Sequence, residues 1–263
     1  MDTRLEILDI WVDPVNRAGA VREVERFLDM VDRPRTVFAA NPEKNFSVPK
    51  DPNLHEAYRR ADLLIPDGIG MVVAARILHG KRLSRVPGVE MLDEICRAAV
   101  RGGHPVFVYG AREEVNARAC EVLQERHPGL AIAGRSHGYA PKEDMDGLVG
   151  AINASGARVL FVALGSPMQE RWLREHGPRL ENVRVCQGIG GSLDVVAGKV
   201  RRAPALFRHT GTEWLYRLAS EPKRAGRQRV LPMFAARVLA VRLGMIRKKT
   251  PPAVAPANPG SMQ

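Results

Sequence analysis

The chain has 263 residues, 45% of them hydrophobic, so it is long enough to bury a full core and is expected to be globular. Its formal net charge of +11 is concentrated at one end: residues 199–263 carry 14 Lys and Arg against two acidic residues, while residues 1–198 carry 26 basic and 27 acidic residues. A chain that was basic throughout would suggest nucleic-acid binding, and this distribution does not.

Residues 199–249 combine this basic charge with apolar side chains such as Trp214, Leu231 and Phe234. Such a mixture suits an anionic membrane surface, where each Lys or Arg contributes about 1 kcal/mol. We therefore divide the chain into a core at 1–198, a basic helical membrane-associating appendage at 199–249, and an uncharged proline-rich tail at 250–263 that is expected to be disordered. Exposed apolar surface on the appendage would also favour a homo-oligomer away from the membrane.

Neither a signal peptide nor a membrane-spanning helix is predicted. Residues 1–12 lack a basic stretch followed by an apolar run, and the apolar stretch 230–246 is interrupted by Arg237 and Arg242. The three cysteines, Cys96, Cys120 and Cys186, are far apart and lie within apolar patterns. They are therefore expected to be buried free thiols in the cytosol.

Segments with a strand pattern alternate with segments of helical periodicity along the core. The strand candidates are 36–40, 63–65, 106–109, 131–133, 159–164 and 183–186, and the helix candidates are 53–60, 69–78, 89–101, 113–126, 143–153 and 168–176. This alternation predicts an α/β fold in which a mostly parallel sheet is flanked by helices on both faces.

The short apolar segment 63–65 is followed directly by Pro66, Asp67 and Gly68 and then by a helical pattern. Asp67 is therefore expected at the carboxyl end of a buried strand, where the ligand crevice of an open α/β sheet lies. Asp62 lies at the opposite end, about 16 Å away, so one site cannot use both. Asp67 is placed either for chemistry or to cap the following helix, and the sequence leaves both interpretations open.

Four other predicted strands end in polar or glycine-containing turns. These turns are Asn41-Pro42-Glu43, Gly110-Ala111-Arg112-Glu113, Gly165-Ser166-Pro167-Met168-Gln169-Glu170 and Gly188-Ile189-Gly190-Gly191-Ser192. Glycines there let phosphates approach backbone N–H groups, so the turns together favour a nucleotide site. None has Walker spacing and the last lacks the full dinucleotide fingerprint, which argues against an NAD-dependent oxidoreductase.

No metal or other cofactor is expected. No pair of His or Cys residues has metal-ligand spacing, and we identify no Asp-x-Asp of the kind that holds a divalent ion on a nucleotide diphosphate. If a sugar nucleotide is the substrate, its leaving diphosphate must therefore be stabilised by arginines and helix N-termini.

Several blocks follow one another in order between about residue 8 and about residue 241. They are Asn41-Pro42-Glu43, Leu64 to Gly70, Arg85-Val86-Pro87-Gly88, Val108-Tyr109-Gly110-Ala111, Gly138-Tyr139, Val162 to Glu170, Gly188 to Asp194, Arg202-Ala203-Pro204, Glu213-Trp214-Leu215-Tyr216-Arg217-Leu218, and Glu221-Pro222 with Arg224 and Arg227. In these blocks the chain resembles the WecG/TagA/CpsF family of bacterial glycosyltransferases, glycosyltransferase family 26.

The resemblance implies a Rossmann-like core with a C-terminal appendage that meets the inner face of the cytoplasmic membrane. It also implies transfer of a sugar, with inversion, from a UDP-sugar to a polyprenyl-diphosphate-linked sugar. The best-known members move N-acetylmannosamine to the 4-hydroxyl of N-acetylglucosamine on undecaprenyl diphosphate in wall teichoic acid synthesis. Relatives use other UDP sugars, and nucleic acid is not an expected partner.

The resemblance further implies roles for single residues. Asp67 matches the proposed general base, a role that suits a carboxylate in a direct displacement. The residues expected to bind substrate are Asn41, Arg85 and Gln169, which match pocket-lining positions; Gly110, Gly190 and Asp194, which lie in the matching blocks; and Arg217, Arg224 and Arg227, which match arginines thought to close over the site.

One position departs from the family pattern. The family commonly has threonine two residues before the asparagine, where this chain has Ala39. The missing hydroxyl leaves a different UDP sugar, such as glucose or N-acetylmannosaminuronic acid, as an alternative donor. A second alternative is a module without catalytic activity whose basic end binds anionic lipid or nucleic acid.

Overall fold

A computed structural model of the chain describes residues 3–139, 144–200, 203–204, 206–207, 212–220 and 229–246. Within these residues the strands are β1 (Leu5–Ile7), β2 (Ile10–Val12), β3 (Arg35–Ala40), β4 (Leu63–Pro66), β5 (Val106–Gly110), β6 (Ile132–Ser136), β7 (Val159–Ala163) and β8 (Val185–Gly188). Strands β1 and β2 form an antiparallel hairpin. The other six form one parallel sheet in the order β4-β3-β8-β7-β5-β6.

Helices cover both faces of this sheet. They are α1 (Arg17–Asp29), α2 (Lys44–Ser47), α3 (Pro52–Arg60), α4 (Ile69–His79), α5 (Gly88–Gly102), α6 (Glu113–Arg126), α7 (Met145–Ala154), α8 (Met168–His176), α9 (Ser192–Val196), α10 (Glu213–Ser220) and α11 (Val230–Arg242). One hydrophobic core contains residues of α3, α4, α7, α8 and α11, and a second contains residues of α1, α5, α6 and α9. Successive strand residues such as Val37 and Phe38 enter opposite cores, as the two-residue period of a strand requires.

The predicted Rossmann-like α/β architecture is therefore confirmed. Each predicted strand overlaps an observed one, although β6 and β8 extend three and two residues further than expected. Each predicted helix is also observed; the start expected for α7, at residue 143, lies outside the described residues. The sequence reading missed the β1–β2 hairpin, whose strands are three residues each, and α1, whose N-cap Asn16 accepts a hydrogen bond from the Gly19 amide.

Cys96, Cys120 and Cys186 are buried and free, as predicted. Burial raises the pKa of the Cys120 thiol to about 11, which keeps it protonated at neutral pH. Among the described residues, no helix combines the length and apolar character needed to cross a bilayer.

Helix α11 packs against the core through Phe234 and Val238, each 3% exposed. Its Arg237 forms a 2.7 Å ion pair with Asp9 in the turn of the β1–β2 hairpin. Other apolar side chains of this region stay largely exposed, namely Met233, Leu239, Leu243, Met245 and Ile246. Helix α11 thus has one face on the core and another toward solvent. The proline-rich tail, residues 250–263, lies outside the described residues.

Candidate active site

Asp67 lies at the carboxyl end of β4, the position that the sequence predicts. Its amide donates a 2.9 Å hydrogen bond to the Ala40 carbonyl oxygen at the end of β3. Asp62, at the other end of β4, is engaged by the guanidinium groups of Arg33 and Arg35. The two aspartates therefore lie at opposite ends of β4, and Asp62 is held in ion pairs at the amino-terminal edge of the sheet.

The Asp67 carboxylate lies beside the start of α5, and Asp67 is not the N-cap residue of α4, the helix that follows it in sequence. Gly68 is the N-cap of α4, with a positive φ of +93° that favours glycine. Oδ2 of Asp67 lies 3.5 Å from the backbone nitrogen of Gly88, the first residue of α5. The Asp67 carboxylate therefore faces the amino terminus of α5, which carries a partial positive charge.

Asn41 and Ala39 flank the end of β3, next to Asp67. Oδ1 of Asn41 accepts a 3.3 Å hydrogen bond from the amide of Lys44, where α2 begins. A Cβ built on Gly88 would lie 3.9 Å from the Ala39 Cβ and 3.8 Å from Oδ2 of Asp67. The side chain of residue 39 is therefore directed to the surroundings of the candidate base, where threonine would place a hydroxyl.

Gln169 shapes the glycine turn that follows β8. Its Oε1 accepts a 2.9 Å hydrogen bond from the amide of Gly190, and its side chain is buried. A Cβ at Gly188 would come within 2.6 Å of the Gln169 Nε2, so the turn accommodates glycine there. Asp194 lies on α9 close to this turn, since a Cβ at Gly191 would be 3.7 Å from its Oδ2.

A buried ion pair that the sequence reading did not identify joins the turns after β3 and β7. Nζ of Lys44 lies 3.2 Å from Oε1 of Glu170, and it also contacts Oγ of Ser166. The two charged residues are 8% and 1% exposed. The same Nζ lies 5.5 Å from the ring centroid of Tyr58, whose pKa is raised well above its usual value by burial and by the charges of Glu170 and Asp67.

Gly110 has a structural reason to be glycine. Its φ is +119°, and a Cβ there would lie 2.5 Å from the carbonyl carbon of Ala163, at the end of the adjacent β7. Nδ2 of Asn116 donates a 2.8 Å hydrogen bond to the Gly110 carbonyl oxygen, which fixes the turn. The glycine therefore allows β5 and β7 to end side by side at the same edge as Asp67.

The basic residues predicted for the site are described only in part. Nη2 of Arg85 lies 2.5 Å from Oε2 of Glu213 on α10, and both side chains are largely buried. Arg217 lies four residues further along α10. Arg224 and Arg227 lie outside the described residues.

Five neighbouring strands thus bring predicted residues to one edge of the sheet. Asp67 follows β4, Asn41 follows β3, Gly190 follows β8, Gln169 follows β7, and Gly110 ends β5. A cavity of about 530 Å³ between α3 and α8 contains none of these five residues. This cavity lies over the sheet face that bears Phe38 and Cys186, and it extends to Asp62 at the amino-terminal end of β4. The candidate site is therefore placed at the carboxyl edge, where the five predicted residues meet.

The described residues contain no group of three or more His, Cys, Asp and Glu side chains placed to hold a metal ion. The chain does contain the spacing Asp144-Met145-Asp146, which the sequence reading passed over. It lies at the beginning of α7, where Asp146 is largely exposed and pairs with Arg179 at 2.8 Å.

The sequence model of the glycosyl transferase WecG/TagA/CpsF family matches residues 5–248. Because this match covers nearly the whole chain, the chain belongs to that family, and it is a glycosyltransferase that transfers hexose units. The resemblance seen in the ordered sequence blocks is confirmed.

Curated relatives give the most specific comparison. The N-acetylglucosaminyldiphosphoundecaprenol N-acetyl-beta-D-mannosaminyltransferases of Staphylococcus aureus strains MRSA252, MW2 and NCTC 8325 are each 36% identical to this chain over 222 residues. The alignments cover 80% of this chain and 86% of each relative.

Proposed function

We propose that this enzyme transfers N-acetylmannosamine from a UDP donor to N-acetylglucosamine linked to undecaprenyl diphosphate, in teichoic acid or surface polysaccharide synthesis. The names of the curated relatives support the sugar and the acceptor. The observation that carries the mechanism is the Asp67 carboxylate at the carboxyl edge of the sheet, beside the amino terminus of α5.

In this mechanism Asp67 is the general base of a single displacement. The acceptor hydroxyl oxygen forms a bond to the anomeric carbon as the bond from that carbon to the UDP oxygen breaks, and the hydroxyl proton passes to the Asp67 carboxylate. One displacement inverts the anomeric centre. The charge that develops on the departing UDP is met by Arg85 and by the appendage arginines Arg217, Arg224 and Arg227, without a metal ion or other cofactor.

Residue 39 is the position that bears on donor choice. Its side chain lies near Gly88 and Asp67, and it is alanine where the family commonly has threonine. A site without that hydroxyl loses one hydrogen bond to the sugar, which favours testing glucose and N-acetylmannosaminuronic acid as alternative donors.

A donor screen tests the proposal directly. Purified protein is incubated with a short-chain lipid-diphosphate N-acetylglucosamine and, separately, the UDP derivatives of N-acetylmannosamine, glucose and N-acetylmannosaminuronic acid. Mass spectrometry is expected to detect the mass of the extended acceptor with one donor, and the yield should be unchanged by EDTA. Loss of product on chelation would contradict the metal-free mechanism, and absence of product with every donor would contradict the function.

The proposed location is the cytoplasmic face of the plasma membrane, held by the basic appendage. Exposed apolar side chains on and after α11, together with the excess of positive charge after residue 198, support this placement. In the absence of a membrane the same apolar surface would favour self-association. Nucleic acid is not proposed as a partner, because the excess of positive over negative charge is confined to this region.

Replacing Arg224 and Arg227 by Gln is expected to weaken both sugar transfer and binding to anionic liposomes. Two lost charges near such a surface correspond to about 2 kcal/mol, or roughly thirtyfold in liposome affinity at low salt. The matched control is Arg118→Gln with Arg126→Gln on α6, which removes the same charge from the core. Equal liposome binding by the two double variants would contradict a membrane role for Arg224 and Arg227. Vesicle flotation at two salt concentrations provides the measurement.

A further inference from the structure

An ion pair joins the appendage to the core next to the candidate base. Nη2 of Arg85 and Oε2 of Glu213 are 2.5 Å apart, and their side chains are 17% and 13% exposed. Glu213 is the first residue of α10, whereas Arg85 lies in the segment between α4 and α5. The contact therefore connects parts of the chain that are 128 residues apart in sequence.

The backbone that follows Arg85 contacts both Asp67 and the residue before it. The amide of Val86 donates a 2.8 Å hydrogen bond to the carbonyl oxygen of Pro66, which directly precedes Asp67. The amide of Gly88 lies 3.5 Å from Oδ2 of Asp67. The position of the Arg85 backbone is thus set by the same segment that carries the candidate base.

The direction of the Arg85 side chain needs a further constraint. An arginine side chain is long and loses much rotamer freedom when it is held in one orientation. Its guanidinium is planar and presents its N–H groups in a rigid fork, so one well-placed carboxylate can fix the plane in which they point. Because the Arg85–Glu213 pair is largely shielded from water, its attraction is weakened less by solvent than that of an exposed pair.

We infer that Glu213 is a positioning residue, which orients Arg85 for the substrate and makes α10 part of the catalytic unit. This inference rests on the proposed function, in which Arg85 meets the substrate. Glu213 acts through Arg85 and does not itself contact the reacting atoms. The ion pair between Glu213 and Arg85 also fixes the position of the α10 backbone, and Arg217 lies on this helix four residues after Glu213.

A double-mutant cycle tests this inference in the full-length protein. The variants are Glu213→Ala, Arg85→Ala and the combination. They are assayed for kcat/KM with a short-chain lipid-diphosphate N-acetylglucosamine and whichever of the three UDP-sugars of the donor screen the wild-type protein uses. We expect Glu213→Ala to lower kcat/KM about tenfold, the size of a lost charge-assisted hydrogen bond, through a higher KM. Once Arg85 is absent, Glu213→Ala should cause no further loss, because its effect passes through Arg85.

Two further variants separate positioning from folding. Glu213→Gln keeps an oxygen that can accept a hydrogen bond from Arg85, so it should restore part of the activity lost in Glu213→Ala. Glu25→Ala removes another ion pair between two elements, the pair of Glu25 on α1 with Arg101 on α5, and it should leave kcat/KM unchanged. Thermal unfolding of each variant reports whether it is folded.

The outcomes are distinct. The inference would be overturned if the losses of kcat/KM multiply in the double variant. It would also be overturned if Glu213→Ala has wild-type activity while Arg85→Ala has reduced activity. In both cases the proposed function would stand. Wild-type activity in Arg85→Ala would overturn both the inference and the proposed role of Arg85. Absence of transfer by the wild-type protein with all three donors of the screen would overturn the proposed function, and the inference with it.

Discussion

Asp67→Asn is expected to lower kcat for sugar transfer by about 10²–10⁴-fold, the usual contribution of a general base. The amide has nearly the same shape as the carboxylate but cannot accept the proton of the acceptor hydroxyl. Because the proposed role of Asp67 is in proton transfer rather than in donor binding, UDP should still raise the unfolding temperature of the variant nearly as much as that of the wild type.

Asp62→Asn, at the opposite end of the same strand, is the matched control. Asp62 pairs with Arg33 and Arg35 and accepts a hydrogen bond from the Thr36 amide at 2.9 Å. Its loss should lower the unfolding temperature while kcat changes little. Full activity in Asp67→Asn would remove this residue from the mechanism, and equal loss of kcat in both variants would show that the effect is not specific to the carboxyl edge.

Glu170→Ala is expected to destabilise the fold by about 3–5 kcal/mol, the range measured when one partner of a buried ion pair is removed. Lys44 would be left buried without its carboxylate partner beside Ser166 and the Tyr58 ring. The turns after β3 and β7, which carry Asn41 and Gln169, would lose the ion pair between them. Chemical denaturation followed by circular dichroism measures the change in the free energy of unfolding.

Two comparisons make this test specific. The double variant Lys44→Met with Glu170→Met removes both charges and fills a similar volume, so it should be more stable than Glu170→Ala. Glu25→Ala breaks an exposed pair with Arg101 and should cost less than about 1 kcal/mol. A Glu170→Ala protein that loses no more stability than Glu25→Ala would contradict the buried-pair argument.

The parts of the fold that the sequence predicted are those with local signals. Strands such as β7 are continuous apolar runs, and their alternation with periodic helices indicates a parallel sheet whatever the order of its strands. The position of Asp67 follows from the same reasoning, because the end of a buried strand can be recognised from Pro66 and Gly68. The β1–β2 hairpin escaped notice because three-residue strands give too short a pattern.

The contacts between side chains at the candidate site could not be predicted from such local sequence patterns. Lys44 and Glu170 are 126 residues apart, and Arg85 and Glu213 are 128 residues apart, so each pair exists only after the sheet has assembled. Gln169 is expected to line the pocket, and its Oε1 accepts a hydrogen bond from the amide of Gly190, a contact that the sequence alone does not predict. A sequence block predicts that such a residue belongs to the site, but it does not predict whether the side chain faces the ligand or a neighbouring turn.

The contact between α11 and α4 has a consequence for how a lipid acceptor reaches the enzyme. A Cβ at Gly70 would lie 3.5 Å from the Phe234 ring, and Gly70 is the second residue of α4, three residues after Asp67. If the outer side of α11 rests on the bilayer, the Asp67 carboxylate is held at a fixed height above the head groups. The water-borne donor and the lipid-borne acceptor can then arrive from opposite directions, and the long isoprenoid chain need never leave its leaflet.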